Sequence, residues 1–307
     1  MIEKSTTLAD SMEDIHLAER EQLYQFIKEL LEKHGPDPGE YDTILKMVDL
    51  IQPEDVEIFR EIMKPILHPG TIIGFSFTKP FGYNGDFFII EKIYQHYVNP
   101  DEKCCKWDQF FHYLPAAIAV VNRKKLAIEQ FKRINENGDK GLQKNVLILG
   151  SGPANEVNEY LQSTPHNQLV FDMIDLDQRA IDYAKSKNRE YLSLLNFMNQ
   201  NVIRFTPNKS YNMIWSAGLF DYFKDKHFVF LLKKFYQYLA PGGEMIIGNF
   251  NTNNPSRKIM EIMGDWFLYH RSEEELMQFA HQAGISLDKT EVLAEPLGIN
   301  LFLRVRK

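Results

Sequence analysis

Cysteine is nearly absent: the 307 residues contain only Cys104 and Cys105, side by side. Neighbouring thiols are poorly placed to bridge each other, and no Cys-x-x-Cys pair exists to build a structural zinc site. A reducing, cytoplasmic setting is the expectation. Basic blocks are missing too. Lys and Arg total 35 against 42 Asp and Glu, a formal net charge of −7, so nucleic acid is not an expected partner. The short run Arg123-Lys124-Lys125 reads as a solvated helix face. No stretch approaches about 18 apolar residues, so no integral membrane segment is expected. Met1–Glu21 shows no apolar signal core. No His or carboxylate cluster has obvious metal-ligand spacing, and no catalytic metal is expected.

What is present divides into two textures. Up to about residue 140 the pattern is helical. Leu23, Phe26, Ile27, Leu30 and Leu31 form one stripe, stopped by Gly35-Pro36. Ile44, Met47, Val48 and Ile51 form a second. Val56, Phe59, Ile62 and Met63 form a third, ended by Pro65 and Pro69-Gly70. A loop rich in Gly and Phe is expected over Thr71–Asp86, then helices over about Phe87–Tyr97 and Trp107–Ile134. The polar, glycine-containing segment Ile134–Lys144 reads as a boundary. It divides an all-helical domain, 1–140, from a second domain, 141–307.

Beyond Lys144, short apolar runs alternate with helical patterns. Strands are expected at Asn145–Leu149, Gln168–Ile174, Val202–Phe205, Tyr211–Ser216 and Glu244–Phe250, with helices between them. Such alternation implies crossover connections and a parallel sheet covered on both faces. The runs Ile285–Leu293 and Asn300–Val305, around Pro296-Leu297-Gly298, read as an antiparallel hairpin at the sheet edge. The expected fold is therefore α/β: a Rossmann-like, seven-stranded, mostly parallel sheet with an antiparallel edge, plus the N-terminal helical domain.

The chemistry-bearing residues cluster after the first strand. Gly150 and Gly152, between strand and helix, permit a sharp turn and the close approach of a ligand. The second strand ends at Asp175, 25 residues after Gly150. A carboxylate there can accept hydrogen bonds from a ribose diol, with Leu176 beside it. The bland readings are a tight βα turn and a helix cap at Asp175 or Asp177. A pyrophosphate-binding fingerprint needs a third glycine where this chain has Asn155, followed by Glu156. An acid at the helix start repels a pyrophosphate but suits a ligand with an amino group and a sulfonium charge.

Over about residues 144–307 these features resemble the class I S-adenosylmethionine-dependent methyltransferases. Val146–Ala154, containing Gly150, Ser151, Gly152 and Pro153, is similar to the family's first motif, and Asp175 falls on its ribose-binding acid. Asn201 falls on the residue that caps the adenine. The run Tyr211–Phe220, with Ser216, Ala217 and Gly218, resembles the fourth strand and the loop lining the methionine end. Leu239-Ala240-Pro241-Gly242-Gly243 resembles the turn opening the fifth strand. The departures are Ile148 for the usual acid, Ala154 for a glycine and Asn201 for aspartate. A narrower resemblance is carried by Lys79–Asp86 with Ile93-Tyr94, by Gly218–Tyr222 and Gly248–Phe250, and by Asp265-Trp266 with Tyr269 and Arg271. It is to bacterial methyltransferases with a helical N-terminal domain, some of them described as making 3-hydroxy fatty acid methyl esters of the extracellular-factor type.

The resemblance implies S-adenosylmethionine as cofactor and a small-molecule acceptor, with the carboxylate of a hydroxylated fatty acid as the specific expectation. A carboxylate needs no general base, whereas a hydroxyl or amine does. Candidate catalytic residues are Tyr83, Asp86 and His270, and candidate acceptor contacts are Phe81, Tyr222, Asn249, Tyr269 and Arg271. Each has a structural alternative: Asp86 as a helix cap, His270 as a surface histidine, Arg271 as a partner of Glu273–Glu275. Two other functions compete, a nicotinamide-dependent oxidoreductase and a non-catalytic cofactor-binding interaction module.

Overall fold

The computed structural model describes residues 8–137 and 141–307. Part of the polar segment read as a boundary, residues 138–140, and the first seven residues lie outside the described residues. In chain order the helices are α1 (Leu8–Glu32), α2 (Tyr41–Leu50), α3 (Val56–Met63), α4 (Ile72–Thr78), α5 (Phe87–Tyr94), α6 (Glu102–Tyr113), α7 (Pro115–Glu136), α8 (Asn155–Ser163), α9 (Gln178–Lys187), α10 (Asp225–Tyr236), α11 (Arg257–Met263) and α12 (Glu273–Gln282). The strands are β1 (Lys144–Leu149), β2 (Leu169–Asp175), β3 (Leu195–Asn199), β4 (Tyr211–Ser216), β5 (Leu239–Phe250), β6 (Thr290–Ala294) and β7 (Asn300–Arg306). No helix among the described residues is long and apolar enough to cross a membrane.

Two compact units share the chain, and they interleave. The smaller comprises the chain up to Asn84, Tyr97–Leu114 and Ser256–Phe267; the larger comprises Gly85–His96, Pro115–Pro255 and Leu268–Lys307. The polar segment near residue 140 thus joins α7 to β1 inside the larger unit.

The smaller unit is helical. Its buried residues include Leu23, Ile27 and Leu30 from α1, Ile44 and Val48 from α2, Phe59 and Met63 from α3, and Trp107 and Phe110 from α6. Part of the expected Thr71–Asp86 loop is helical. Thr71 caps α4 by accepting the Gly74 N–H, Ile72, Ile73 and Phe75 are buried, and Lys79 ends the helix in the left-handed conformation. The alternation of small and aromatic residues there hides a short, fully packed helix whose cap outweighs its weak intrinsic propensity.

The larger unit is a seven-stranded sheet in the order β3-β2-β1-β4-β5-β7-β6. Strands β1 to β5 pair in parallel. Strand β7 runs antiparallel to both β5 and β6, which makes the expected antiparallel edge. Alternate side chains feed two cores. On one face Val146, Ile148, Phe171, Met173, Met213 and Trp215 pack with Ala127 and Phe131 of α7 and Val157 and Tyr160 of α8. On the other, Leu147, Leu149, Ile174, Ile214 and Ile247 pack with Phe228, Leu231 and Phe235 of α10 and Leu276 and Phe279 of α12.

Two expectations are corrected. The third strand is Leu195–Asn199, and Val202–Phe205 is a turn whose Val202 and Phe205 are nonetheless buried. The asparagines of β3 mask its strand character, although Asn196, itself exposed, donates across to Asp172 of β2. The basic run on α7 is not a solvated face either, since Arg123 and Lys124 are buried and only Lys125 is exposed.

Phe131 is fully buried, with its ring centroid 5.7 Å from Tyr160, 5.5 Å from Phe171 and 6.1 Å from Trp215. Phe131→Ala is expected to destabilise the sheet unit by about 3–5 kcal/mol in denaturant unfolding. A loss below about 1 kcal/mol would mean that α7 is not part of this core.

Candidate functional site

The sheet grows outward from β1 to β3, then the chain returns to place β4 on the other side of β1. At such a switch the two neighbouring connections leave β1 and β4 in opposite directions, opening a crevice at the carboxyl ends of the strands. The turn Gly150–Pro153 and the loop after Ser216 sit on this crevice.

The turn is built by backbone geometry. Gly150 and Gly152 have φ of 71° and 49°, and Ala154 follows at 56°. The N–H groups of Gly150 and Ser151 both reach the Ile174 carbonyl of β2. A Cβ on Gly150 would lie 3.0 Å from Leu219, whereas one on Gly152 would meet nothing within 4 Å. The first glycine is needed for the turn's packing and its φ; the second borders open space. Pro153 is buried, and so is Ser151, whose hydroxyl has no hydrogen-bond partner.

Asp175 ends β2 beside this turn. One carboxylate oxygen accepts the Gly152 N–H at 2.8 Å and the other accepts the Asp177 N–H at 2.9 Å. Burial nevertheless pushes its pKa upward. The helix cap is Asp177, which accepts the Arg179 N–H, so Asp175 is left aimed at the turn. Leu176 is 68% exposed, an unusual position for leucine at the mouth of a crevice. Asn201 uses its carboxamide oxygen to accept the Ile203 N–H, closing the turn after β3. Ser216 is buried and donates to the Leu149 carbonyl, tying β4 to the end of β1. A Cβ on Gly248 would lie 2.1 Å from the Ala217 carbonyl, so the bend at Ala217-Gly218 depends on a bare backbone at Gly248.

Several predicted acceptor-side residues turn out to be framework. Arg271 is 2% exposed and donates to Asn249 at 2.7 Å, to the carbonyls of Phe220 and Phe223, and to Asp225. Its guanidinium stacks over Phe228, 4.8 Å from the ring centroid, and it does not pair with Glu273–Glu275. Asn249 is fully buried and also bonds the Tyr269 carbonyl. These two residues hold the β4 and β5 loops together, which leaves them no donors for an acceptor. Asp86 caps α5, accepting the Phe88 and Ile89 N–H groups. His270 contacts the Leu268 carbonyl through Nδ1 and Asn254 through Nε2, so both ring nitrogens are already engaged. Neither arrangement leaves a base poised for proton abstraction.

Tyr222 and Tyr269 are 39% and 44% exposed. They are neighbours, because the Tyr269 N–H bonds the Asp221 carbonyl. Phe81 and Tyr83 belong to the smaller unit; there Phe81 stands 6.2 Å from Phe75, and Tyr83 is exposed.

Glu156 of α8, the acid singled out at the helix start, belongs to a buried polar group beside the β4 loop. Sequence reasoning missed the rest of that group: Tyr94 of α5, Arg123 of α7 and Asp221. Asp221 is 1% exposed and accepts the Phe250 N–H at 2.7 Å. Burial pushes its pKa up to about 7, partly offset by that N–H, Arg123 and Arg271. Burial also raises Glu156, and it pushes the Tyr94 hydroxyl up to about 12. The only available signal was charge placed where a helix must face a sheet: Arg123 lies four residues before Ala127 and eight before Phe131, on one face of α7.

Asp221 yields a pH test. Its pKa is higher folded than unfolded, so its stabilising contribution is complete below about pH 4 and is lost as pH rises through about 7. Asp221→Asn keeps an acceptor for the Phe250 N–H but cannot ionise. Between about pH 5.5 and 8 the wild-type melting temperature should fall more steeply than that of the variant. Parallel profiles would show that Asp221 does not titrate in this range.

Comparison with known proteins places this geometry. Residues 146–243 match the family described as "Methyltransferase domain". Over 108 residues the chain is 27% identical to malonyl-[acyl-carrier protein] O-methyltransferase 1 of Ilyobacter polytropus, covering 35% of this chain and 38% of that protein. A possible exported protein from Bordetella parapertussis shares the fold with a TM-score of 0.62 and 15% identity, covering 98% of this chain and 99% of its own. SibL, an S-adenosylmethionine-dependent methyltransferase in its apo form, superposes with a TM-score of 0.51 and 14% identity, over 72% of this chain and 61% of its own. The glycine turn and the acid ending β2 thus lie within the segment, residues 146–243, that matches a methyltransferase domain.

Proposed function

We propose that this chain transfers a methyl group from S-adenosylmethionine to a small-molecule acceptor. The observation that carries the proposal is the Asp175 carboxylate, held by the Gly152 N–H at the carboxyl end of β2 beside a glycine turn that borders open space.

The residues present fit the cofactor. Asp175 would accept from the ribose hydroxyls, its orientation already set by two backbone donors. Leu176 offers an exposed apolar surface for a base, and Asn201 stands in the turn beyond β3. The unpartnered Ser151 hydroxyl and the vacant space at Gly152 mark the turn as a surface awaiting a polar ligand. Ser216, Ala217 and Gly218 border the opposite side. When bound, S-adenosylmethionine supplies a methyl group on a sulfonium, which leaves without further activation. The protein's task is then to orient an acceptor in line and keep water away.

With Asp86 capping a helix and His270 engaged on both nitrogens, an acceptor that is already nucleophilic at neutral pH is favoured. A carboxylate is such an acceptor. The name of the Ilyobacter relative, an O-methyltransferase of a malonyl group, supports the same class. Tyr222 and Tyr269 would border the acceptor. We therefore propose O-methylation of an acyl carboxylate, with a hydroxylated fatty acid as the substrate to test.

Isothermal calorimetry with S-adenosylhomocysteine should give a micromolar-scale Kd for the wild type. Asp175→Ala should weaken it by about ten- to a hundredfold, the worth of charge-assisted hydrogen bonds. Absence of binding by the wild type removes the proposal. Incubation with methyl-labelled cofactor and 3-hydroxy fatty acids should yield labelled methyl esters; a blank result in an enzyme that binds the cofactor excludes this acceptor.

A further inference from the structure

Asn300 opens β7 and is fully buried, yet neither the oxygen nor the nitrogen of its carboxamide has a hydrogen-bond partner among the described residues. Withholding both a donor and an acceptor from water without pairing either is costly, so this side chain needs a reason beyond packing.

Its neighbours explain why the fold does not relieve it. Asn300 stands opposite Phe250 of β5 on one side, and on the other its carbonyl accepts the Glu295 N–H. Residues directly opposite in such a ladder share a face, and Phe302, two residues on, belongs to the core that packs on α7. Phe250 offers only a ring. Glu295 is buried, and both its oxygens are occupied. One accepts the Ile299 and Asn300 N–H groups at 2.8 and 3.2 Å; the other accepts the Leu297 N–H at 3.0 Å and the Asn122 carboxamide of α7 at 2.9 Å. Trp215, stacked on Phe302, likewise keeps a buried Nε1 without a partner among the described residues.

The position ties Asn300 to the acceptor side of the crevice. Phe250, its cross-strand partner, is the last residue of β5. The Phe250 N–H donates to the Asp221 carboxylate at 2.7 Å, its carbonyl accepts the Arg271 N–H at 2.8 Å, and its ring stands 5.9 Å from His270. These are the two segments that present Tyr222 and Tyr269. The same row of side chains also selects a ligand group. The Glu295 carboxylate beside Asn300 disfavours an anion, whereas an uncharged hydroxyl both donates and accepts and so suits either orientation of the amide.

We propose that Asn300 reads a hydroxyl on the acceptor, apart from the carboxylate that is methylated. This role rests on the proposed acyl acceptor and makes Asn300 the residue that favours a hydroxylated acid over an unsubstituted one. An acid without the hydroxyl leaves the carboxamide unpaired.

3-Hydroxydecanoic acid and decanoic acid differ only in that hydroxyl. Calorimetry on the full chain saturated with S-adenosylhomocysteine should show the wild type binding the hydroxylated acid about tenfold more tightly. Asn300→Leu, close in shape but apolar, should abolish the preference and leave decanoic acid within about twofold of the wild type. Its melting temperature should equal or exceed that of the wild type, because an unpaired carboxamide is removed. Asn300→Ala serves for the binding comparison if the leucine variant does not fold. A wild type that binds neither acid, or binds both equally, overturns the inference, and so does an equal loss for both acids in the variant. A melting temperature lowered by more than about 5 °C in the leucine variant also overturns it, since that marks a carboxamide already satisfied by water in the free protein. A preference that depends on Asn300 without methyl transfer to either acid removes the proposed reaction and leaves Asn300 as the selecting residue.

Discussion

The constraint on which the structure depends is the central position of β1, paired in parallel with β2 on one side and β4 on the other. A parallel strand buried on both faces must be apolar along its length, and Val146–Leu149 is. That pairing brings Gly150, Asp175 and Ser216 to one edge, although 66 residues separate the first from the last. The Ile174 carbonyl, accepting both Gly150 and Ser151, and the Ser216 hydroxyl, bonding Leu149, lock the three strand ends together.

Around that edge the chain buries several charged side chains, Arg123, Glu156, Asp221 and Arg271 among them. Arg271 is the well-compensated example, surrounded by carbonyls, Asn249, Asp225 and three aromatic rings. It fastens the loops after β4 and β5, so Tyr222 and Tyr269 are presented from a rigid base. Arg123, Glu156 and Asp221 are held less directly, acting on one another's charge without forming a tight ion pair. Buried charges that satisfy each other rigidify a fold.

Much was legible beforehand. The alternation of short apolar runs with helical stripes announced a parallel sheet. Pro296-Leu297-Gly298 announced the terminal hairpin, and the Gly150–Asp175 spacing announced that the glycine turn and the acid lie together. The misreadings share a cause. Val202–Phe205 is apolar because it packs as a turn, while β3 looked polar because Asn196 bonds across to Asp172. Thr71–Thr78 looked like a loop because its helix depends on a cap and on burial rather than on propensity. Asn249, Arg271, Asp86 and His270 looked chemical because polar side chains near a site have the same letters whether they face a ligand or a carbonyl.

The sequence by itself therefore determined the layered fold, the glycine turn and the acid at the end of β2. These are local: periodicity, a backbone that needs positive φ, and a fixed spacing between consecutive strands. Only the tertiary structure decided which polar residues are already satisfied. That question turns on partners far apart in the chain, such as Arg271 with Asn249 or Asp221 with the Phe250 N–H, and no local pattern encodes a hydrogen bond made across a sheet edge.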